Sequence, residues 1–166
     1  MLTLVTSCRQ IRFAELMEVY ADSNMEKASQ WPHESSGFAL QMAEQDYRQY
    51  LREVFFRTEG AMLAVWEEKG RYVCALRLEP HKDGLLLAGL ETAPEHRKMG
   101  YAVSLIQAVQ MHLRQQGNVK IYSHVDKKNV ASRKTHEKCG FRVISDRAVY
   151  IDGSVDSRCC TYCYEA

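Results

Sequence analysis

The segment Arg97-Lys98-Met99-Gly100-Tyr101-Ala102 has the makings of an anion cradle. It follows a strand-like run that ends Leu90-Glu91-Thr92-Ala93-Pro94, and it opens straight into Tyr101 to Arg114. There Ala102, Leu105, Ile106, Val109 and Leu113 recur at helical spacing until Gly117 ends the pattern. The first turn of a helix leaves its N–H groups without intrahelical acceptors, and the macrodipole adds partial positive charge, so backbone alone can hold a pyrophosphate. Gly100 lets such a ligand approach the chain where a side chain would keep it away. The same residues also suit an ordinary strand-to-helix turn in which glycine relieves a backbone constraint.

Cys159-Cys160-Thr161-Tyr162-Cys163 is a second cluster with chemical potential, because neighbouring thiolates can bind zinc. It lacks the separated Cys-x-x-Cys or His-x-x-x-His element that would complete four ligands, so the reading is cysteines packed in a terminal strand and no metal. The remaining cysteines fit reduced thiols, since a disulfide framework is a feature of short secreted chains.

The elements that must position these residues can be read from periodicity. Leu2 to Val5 is strand-like, Ile11 to Tyr20 and Gln41 to Phe56 are helical, and Asn24 to Phe38, broken by Pro32, Ser35, Ser36 and Gly37, reads as a connecting loop. Ala61 to Trp66, Arg71 to Leu78 and Leu85 to Thr92 form an antiparallel meander divided at Lys69-Gly70 and Lys82-Asp83-Gly84. Beyond the helix from Tyr101 come a strand over Lys120 to Val125, a short helix over Val130 to Lys138 closed by Cys139-Gly140, and strands over Phe141 to Ile151 and Arg158 to Tyr164. The order is β-α-α-β-β-β-α-β-α-β-β, a mixed α/β fold class, and 166 residues suit one domain.

Charge excludes some function classes. Lys and Arg number 22 against 21 Asp and Glu, a formal net charge of +1, which provides no broad field for gathering nucleic acid or an anionic membrane surface. No run approaches the roughly 18 apolar residues of a spanning helix. Met1 to Cys8 has neither the basic start nor the apolar run of a secretion signal, so a cytoplasmic protein starting at Met1 is expected.

From Leu85 to Phe141 the chain resembles the GNAT superfamily of acetyl-CoA-dependent N-acetyltransferases. Arg97, Gly100 and Ala102 match its Arg/Gln-x-x-Gly-x-Gly/Ala signature. Asn129, Glu137-Lys138 and Gly140-Phe141 match its Asn-x-x-Ala-x-x-x-Tyr-Glu-Lys-x-Gly-Phe pattern at unbroken spacing, with Ser132 at the Ala position and His136 at the Tyr position. Residues 1 to 80 agree only in element order. The resemblance implies the GNAT fold, with a mixed central sheet splayed between its fourth and fifth strands, and acetyl-CoA as co-substrate in the gap. Thr92 and Ala93 would face the pantetheine, Arg97, Lys98, Met99, Gly100, Tyr101 and Ala102 would surround the pyrophosphate, and Asn129 and Ser132 would hold the cofactor arm. Asn129 also suits the cap of the helix that follows it.

The resemblance also implies catalytic roles, and here the sequence departs from the pattern. His136 stands where many members carry a Tyr that protonates the departing thiolate; an imidazole can do this chemically, and a plain helix residue is the other reading. The acceptor amine must lose a proton, and His124, Glu91 and Tyr122 are the candidates near the end of the fifth and fourth strands. Trp31 and Glu34, in the loop between the first two helices, and Tyr122 on the fifth strand are candidate acceptor contacts, a Trp face beside a carboxylate being suited to a cation. The expected partner is an amine acceptor, small molecule or peptide, for a monomer or homodimer. The competing readings are an acyl-CoA-binding regulatory module with little turnover, motivated by the missing Tyr, and a zinc or thiol enzyme built on Cys159, Cys160 and Cys163.

Overall fold

A computed structural model of the protein describes residues 1–117 and 119–166. Its elements are β1 (Leu2–Val5), α1 (Phe13–Val19), α2 (Ala21–Ala28), α3 (Ser36–Glu53), β2 (Met62–Glu68), β3 (Arg71–His81), β4 (Gly84–Thr92), α4 (Tyr101–Arg114), β5 (Lys120–Asp126), α5 (Val130–Lys138), β6 (Arg142–Ser145), β7 (Ala148–Val149), β8 (Val155–Asp156) and β9 (Cys159–Glu165). Seven strands form one sheet in the order β1-β2-β3-β4-β5-β9-β6, so strands from both ends of the chain share it, while β7 and β8 form a separate ribbon. Every neighbouring pair in the sheet is antiparallel except β4 and β5.

That parallel pair is short. Leu85, Leu86 and Leu87 pair with Ile121, Tyr122 and Ser123, and beyond them the two strands have no register. The outer edge of β5 stays bonded to β9 through His124, Val125 and Asp126, so the opening belongs to the β4–β5 boundary alone. A bulge assists it: Ala88 pairs with Arg77 and Glu91 with Ala75, which leaves one extra residue in β4, and Gly89 there takes φ +58. Glycine meets that left-handed conformation at little cost.

The core has two parts, one on each face of the sheet. Leu76, Leu78, Leu87 and Ile121 pack with Leu105, Ile106 and Val109 of α4. Leu63, Val65 and Ala75 pack on the other face with Leu16 and Val19 of α1, Leu51 of α3 and Phe55.

Two expectations are corrected. Asn24 to Phe38 is not a continuous loop, because α2 extends to Ala28 and α3 begins at Ser36. In α2 only Asn24 is buried, so the helix carries no apolar periodicity to detect; Ser35 to Gly37 is a helix start, with Ser35 Oγ accepting from Phe38 N–H at 3.4 Å. Phe141 to Ile151 is not one strand, since β6 ends at Ser145 and β7 pairs away from the sheet with β8. No helix among the described residues is long and apolar enough to cross a membrane.

Candidate active site

The end of β4, the loop before α4 and the start of α5 enclose a cleft of about 710 Å³. Its loop wall is made by Lys98 at φ +63 and Gly100 at φ +86, left-handed residues on either side of Met99. Alternation of this kind turns successive N–H groups toward one point and makes an anion-binding concavity. The helical ladder begins only with Ser104 N–H donating to Gly100 C=O at 3.0 Å, and among the described residues no backbone acceptor serves the N–H groups of Lys98, Met99 and Gly100. A Cβ at Gly100 would meet no atom within 4 Å, so φ, not crowding, demands glycine there.

Side chains around the cleft are arranged less simply. Arg97 turns back from the loop, its guanidinium 2.6 Å from Asp22 of α2 and 3.8 Å from Glu91, with Nε donating to Thr92 C=O at 3.1 Å. Thr92 lines the cleft but spends its hydroxyl on Cys74 Sγ at 3.2 Å. Ala93 is not brought to the cleft: it is buried, its N–H donates to Val73 and its C=O accepts from His96. Met99 points outward, whereas Tyr101 and Ala102 line the wall. Asn129 Oδ1 accepts from Ser132 N–H at 3.0 Å, so it caps α5 and also lines the cleft.

A smaller cavity of about 180 Å³ continues from this cleft into the β4–β5 gap, lined among others by Gly89, His124, Asn129, Ser132 and His136. His124, one residue past the last β5 pair, has its Nδ1 3.1 Å from Thr161 Oγ1. That hydroxyl already donates to Arg147 C=O at 2.9 Å, so it can accept from His124 Nδ1–H, and Nε2 is buried without a hydrogen-bond partner. Burial, then His81 and Lys82, push the His124 pKa below the usual imidazole value, while a Val149 backbone contact opposes them.

Glu91, on the face of β4 that meets α2, accepts from Ser23 Oγ at 2.6 Å and from Ser23 N–H at 3.4 Å. Burial raises its pKa above the ordinary carboxylate value, partly offset by the Ser23 hydrogen bonds. His136 is fully buried against Phe141 and Tyr162. Its Nδ1 lies 2.8 Å from the Ser132 carbonyl, which can only accept, so the proton is on Nδ1 and Nε2 is bare. Burial lowers its pKa as well. As the structure holds it, His136 has no proton on the nitrogen left free for a departing thiolate.

A family model for GNAT acetyltransferases matches residues 9–141. The chain belongs to the GNAT acetyltransferase family. No curated protein matches it in sequence, but solved structures with the same fold extend over its whole length. PaiA N-acetyltransferase from Thermoplasma acidophilum, in complex with coenzyme A, is 13% identical with a TM-score of 0.67, the match covering 100% of this chain and 99% of that one. The microcin C7 self-immunity acetyltransferase, in complex with acetyl-CoA and AMP, is 14% identical with a TM-score of 0.64, covering 99% and 92%. The ribosomal-protein-S18-alanine N-acetyltransferase from Escherichia coli is 15% identical with a TM-score of 0.62, covering 99% and 94%.

Within this GNAT domain the other candidates lie apart from the gap or have their polar groups committed. Tyr122 donates its hydroxyl to Asp83 at 2.6 Å, and that bond pushes its pKa up to about 12. Trp31 and Glu34 line a separate cavity of about 470 Å³ between α2 and α3 that shares no residue with the cleft. Among the described residues no group of three or more His, Cys, Asp or Glu converges on a metal site, and all six cysteines are unpaired. His81 was invisible to sequence reasoning. It is buried, with an unpartnered Nε2, and packs edge-on against Tyr122 at 5.2 Å and His124 at 5.6 Å. Only its place just before the Lys82-Asp83-Gly84 turn distinguished it in the sequence, and that signal has no chemistry in it.

Proposed function

We propose that the protein transfers an acetyl group from acetyl-CoA to a primary amine by direct attack. The observation that carries this reading is the end of β4–β5 pairing at Leu87↔Ser123, beside a loop whose N–H groups face an open cleft. The complexes of coenzyme A and acetyl-CoA with proteins of the same fold support the co-substrate. Lys98, Met99, Gly100, Tyr101 and Ala102 would hold the pyrophosphate through their backbone, and Arg97 would brace the loop against α2. The pantetheine would lie along the free edge of β4 past Thr92, with Asn129 and Ser132 opposite.

At the bulge the acceptor nitrogen, after losing a proton, attacks the thioester carbon. A C–N bond forms, the oxygen takes up charge that a β4 backbone N–H can stabilise, the nitrogen gives its second proton to water, and the C–S bond breaks to release the CoA thiolate and leave the amide. His124 is the first candidate proton acceptor, because it stands one residue past the last β4–β5 pair, lines the gap and is held through Nδ1 by Thr161. Glu91, whose carboxylate is shared with Ser23 and Arg97, is the second. His136 would shape the gap rather than donate a proton, and solvent would protonate the thiolate. Tyr122 contributes a wall, and we assign Trp31 and Glu34 no part in the transfer.

The test is CoA release from acetyl-CoA across a panel of amines, with the melting temperature followed in parallel. The expected result is stabilisation by acetyl-CoA, since a ligand that binds only the folded state raises stability by mass action, together with turnover that depends on the amine. Stabilisation with no turnover by any amine would reduce the protein to an acyl-CoA-binding module.

A further inference from the structure

The face of the sheet opposite α4 carries a cation that the transfer scheme leaves unused. Arg77 lies on β3 opposite Ala88, with its side chain 20% exposed. Its Nε is 3.3 Å from Glu79 Oε1 but is not aligned to hydrogen-bond it, and that oxygen already accepts from the Tyr50 hydroxyl at 3.2 Å. Nη1 donates to the Tyr47 hydroxyl at a long 3.4 Å. The rings of Tyr47 and Tyr50 stand 5.9 and 5.1 Å from the guanidinium carbon. Among the described residues the side chain has no other partner. A guanidinium offers five N–H donors in a planar fork that matches a carboxylate, and this one is left with one long hydrogen bond and one misaligned ion pair.

Its position makes the deficit informative. The guanidinium carbon is 3.4 Å, and Nη2 3.6 Å, from the point where a Cβ on Gly89 would stand. Gly89 is exposed, it is the bulge residue beside the β4–β5 gap, and the Tyr20 hydroxyl fixes its carbonyl at 2.7 Å. The open side of the guanidinium therefore lies next to the place where the acceptor nitrogen must meet the thioester. Glu91, on the same face of the neighbouring strand and paired with Ala75, offers a carboxylate to a nearby ammonium. A cation on β3 and an anion on β4 thus lie on the same face of the sheet, on either side of the bulge.

We propose that the acceptor is a small amine that also carries a carboxylate, an amino acid or a related amino-carboxylate, and that Arg77 binds this carboxylate while the nitrogen enters the gap. The inference rests on the acetyl-transfer reading above and specifies its substrate class.

The test compares matched acceptors, each amino acid against its amide and against its decarboxylated amine, by CoA release. The wild-type protein is expected to favour the carboxylate member in kcat/KM by about ten- to a hundredfold, the range of a charged hydrogen-bonded contact. Arg77→Gln should bring the members of each pair together by raising the KM of the carboxylate member, and Arg77→Lys should fall between them. Equal use of both members by the wild type overturns the assignment without needing a variant to fold, as does an Arg77→Gln variant that loses both equally and melts early, the mark of a structural guanidinium. If no amine of either kind releases CoA while acetyl-CoA still raises the melting temperature, the transfer reading itself fails and this inference with it.

Discussion

The two sides of the β4–β5 gap are made of different material. Toward α4 the groups that can hold a ligand are main-chain N–H groups, aimed by the left-handed Lys98 and Gly100 within one six-residue loop. On the opposite face they are side chains, and each is held by a distant residue: His124 by Thr161 at a separation of 37 positions, Glu91 by Ser23 at 68, and Arg77 by Tyr47 at 30. A backbone cradle needs only the right φ values and a helix to follow, whatever side chains surround it. A side-chain face is defined by what the fold carries next to it, so it can be rebuilt for another acceptor without disturbing the cradle. Cofactor binding and acceptor choice should accordingly respond to different substitutions.

The most damaging change to the cradle should be Gly100→Val. A β-branched residue at φ +86 costs roughly 1–3 kcal/mol of local strain and turns the N–H groups away from their common point. No atom stands within 4 Å of the added Cβ, so the fold should survive. The expected result is loss of the thermal shift with acetyl-CoA and near-native circular dichroism without it. An undiminished shift would remove the pyrophosphate from this loop.

On the acceptor face, His124→Ala should lower kcat/KM by about a hundredfold or more near neutral pH, with the deficit shrinking at high pH as the amine deprotonates unaided. Acetyl-CoA binding should hardly change. Because burial, His81 and Lys82 lower the His124 pKa, the wild-type acid limb should lie below the ordinary imidazole value of 6.5: activity persists as pH falls through 6.5 and is lost only when His124 itself is protonated. Tyr150 and Thr161 also face this ring and carry no charge at that pH. Glu91→Ala is the paired measurement, and if neither variant alters the pH–rate profile, neither group is the base.

The smallest effect is expected at His136. Its replacement by Phe or by Tyr should leave turnover within a few-fold of wild type, because its free nitrogen carries no proton, and should cost about 1–3 kcal/mol of stability for the lost bond to Ser132 C=O and the larger ring in a fully buried site. Urea unfolding reads the second quantity. A roughly hundredfold fall in turnover for His136→Phe with recovery in His136→Tyr would restore the acid role.

The cradle was legible because its signals are local. Gly100 at the junction of a strand pattern and a helix pattern, and Asn129 ahead of the next helix, mark positions whose neighbours in sequence are also their neighbours in space. The helix α2 was missed because its contribution is polar: Asp22 and Ser23 reach Arg97 and Glu91 rather than bury an apolar stripe. Trp31 and Glu34 drew notice by residue type, yet the chain between α2 and α3 carries them to another cavity.

The sequence by itself determined the order of most elements and the glycine turn that opens α4, since periodicity and backbone freedom are properties of short segments. Tertiary structure alone decided where β4 and β5 part, which tautomers His124 and His136 hold, and that Arg77 stands underused beside Gly89. Pairing, proton position and burial depend on atoms that only folding brings within a few ångströms, and the spacing of residues along the chain carries no record of them.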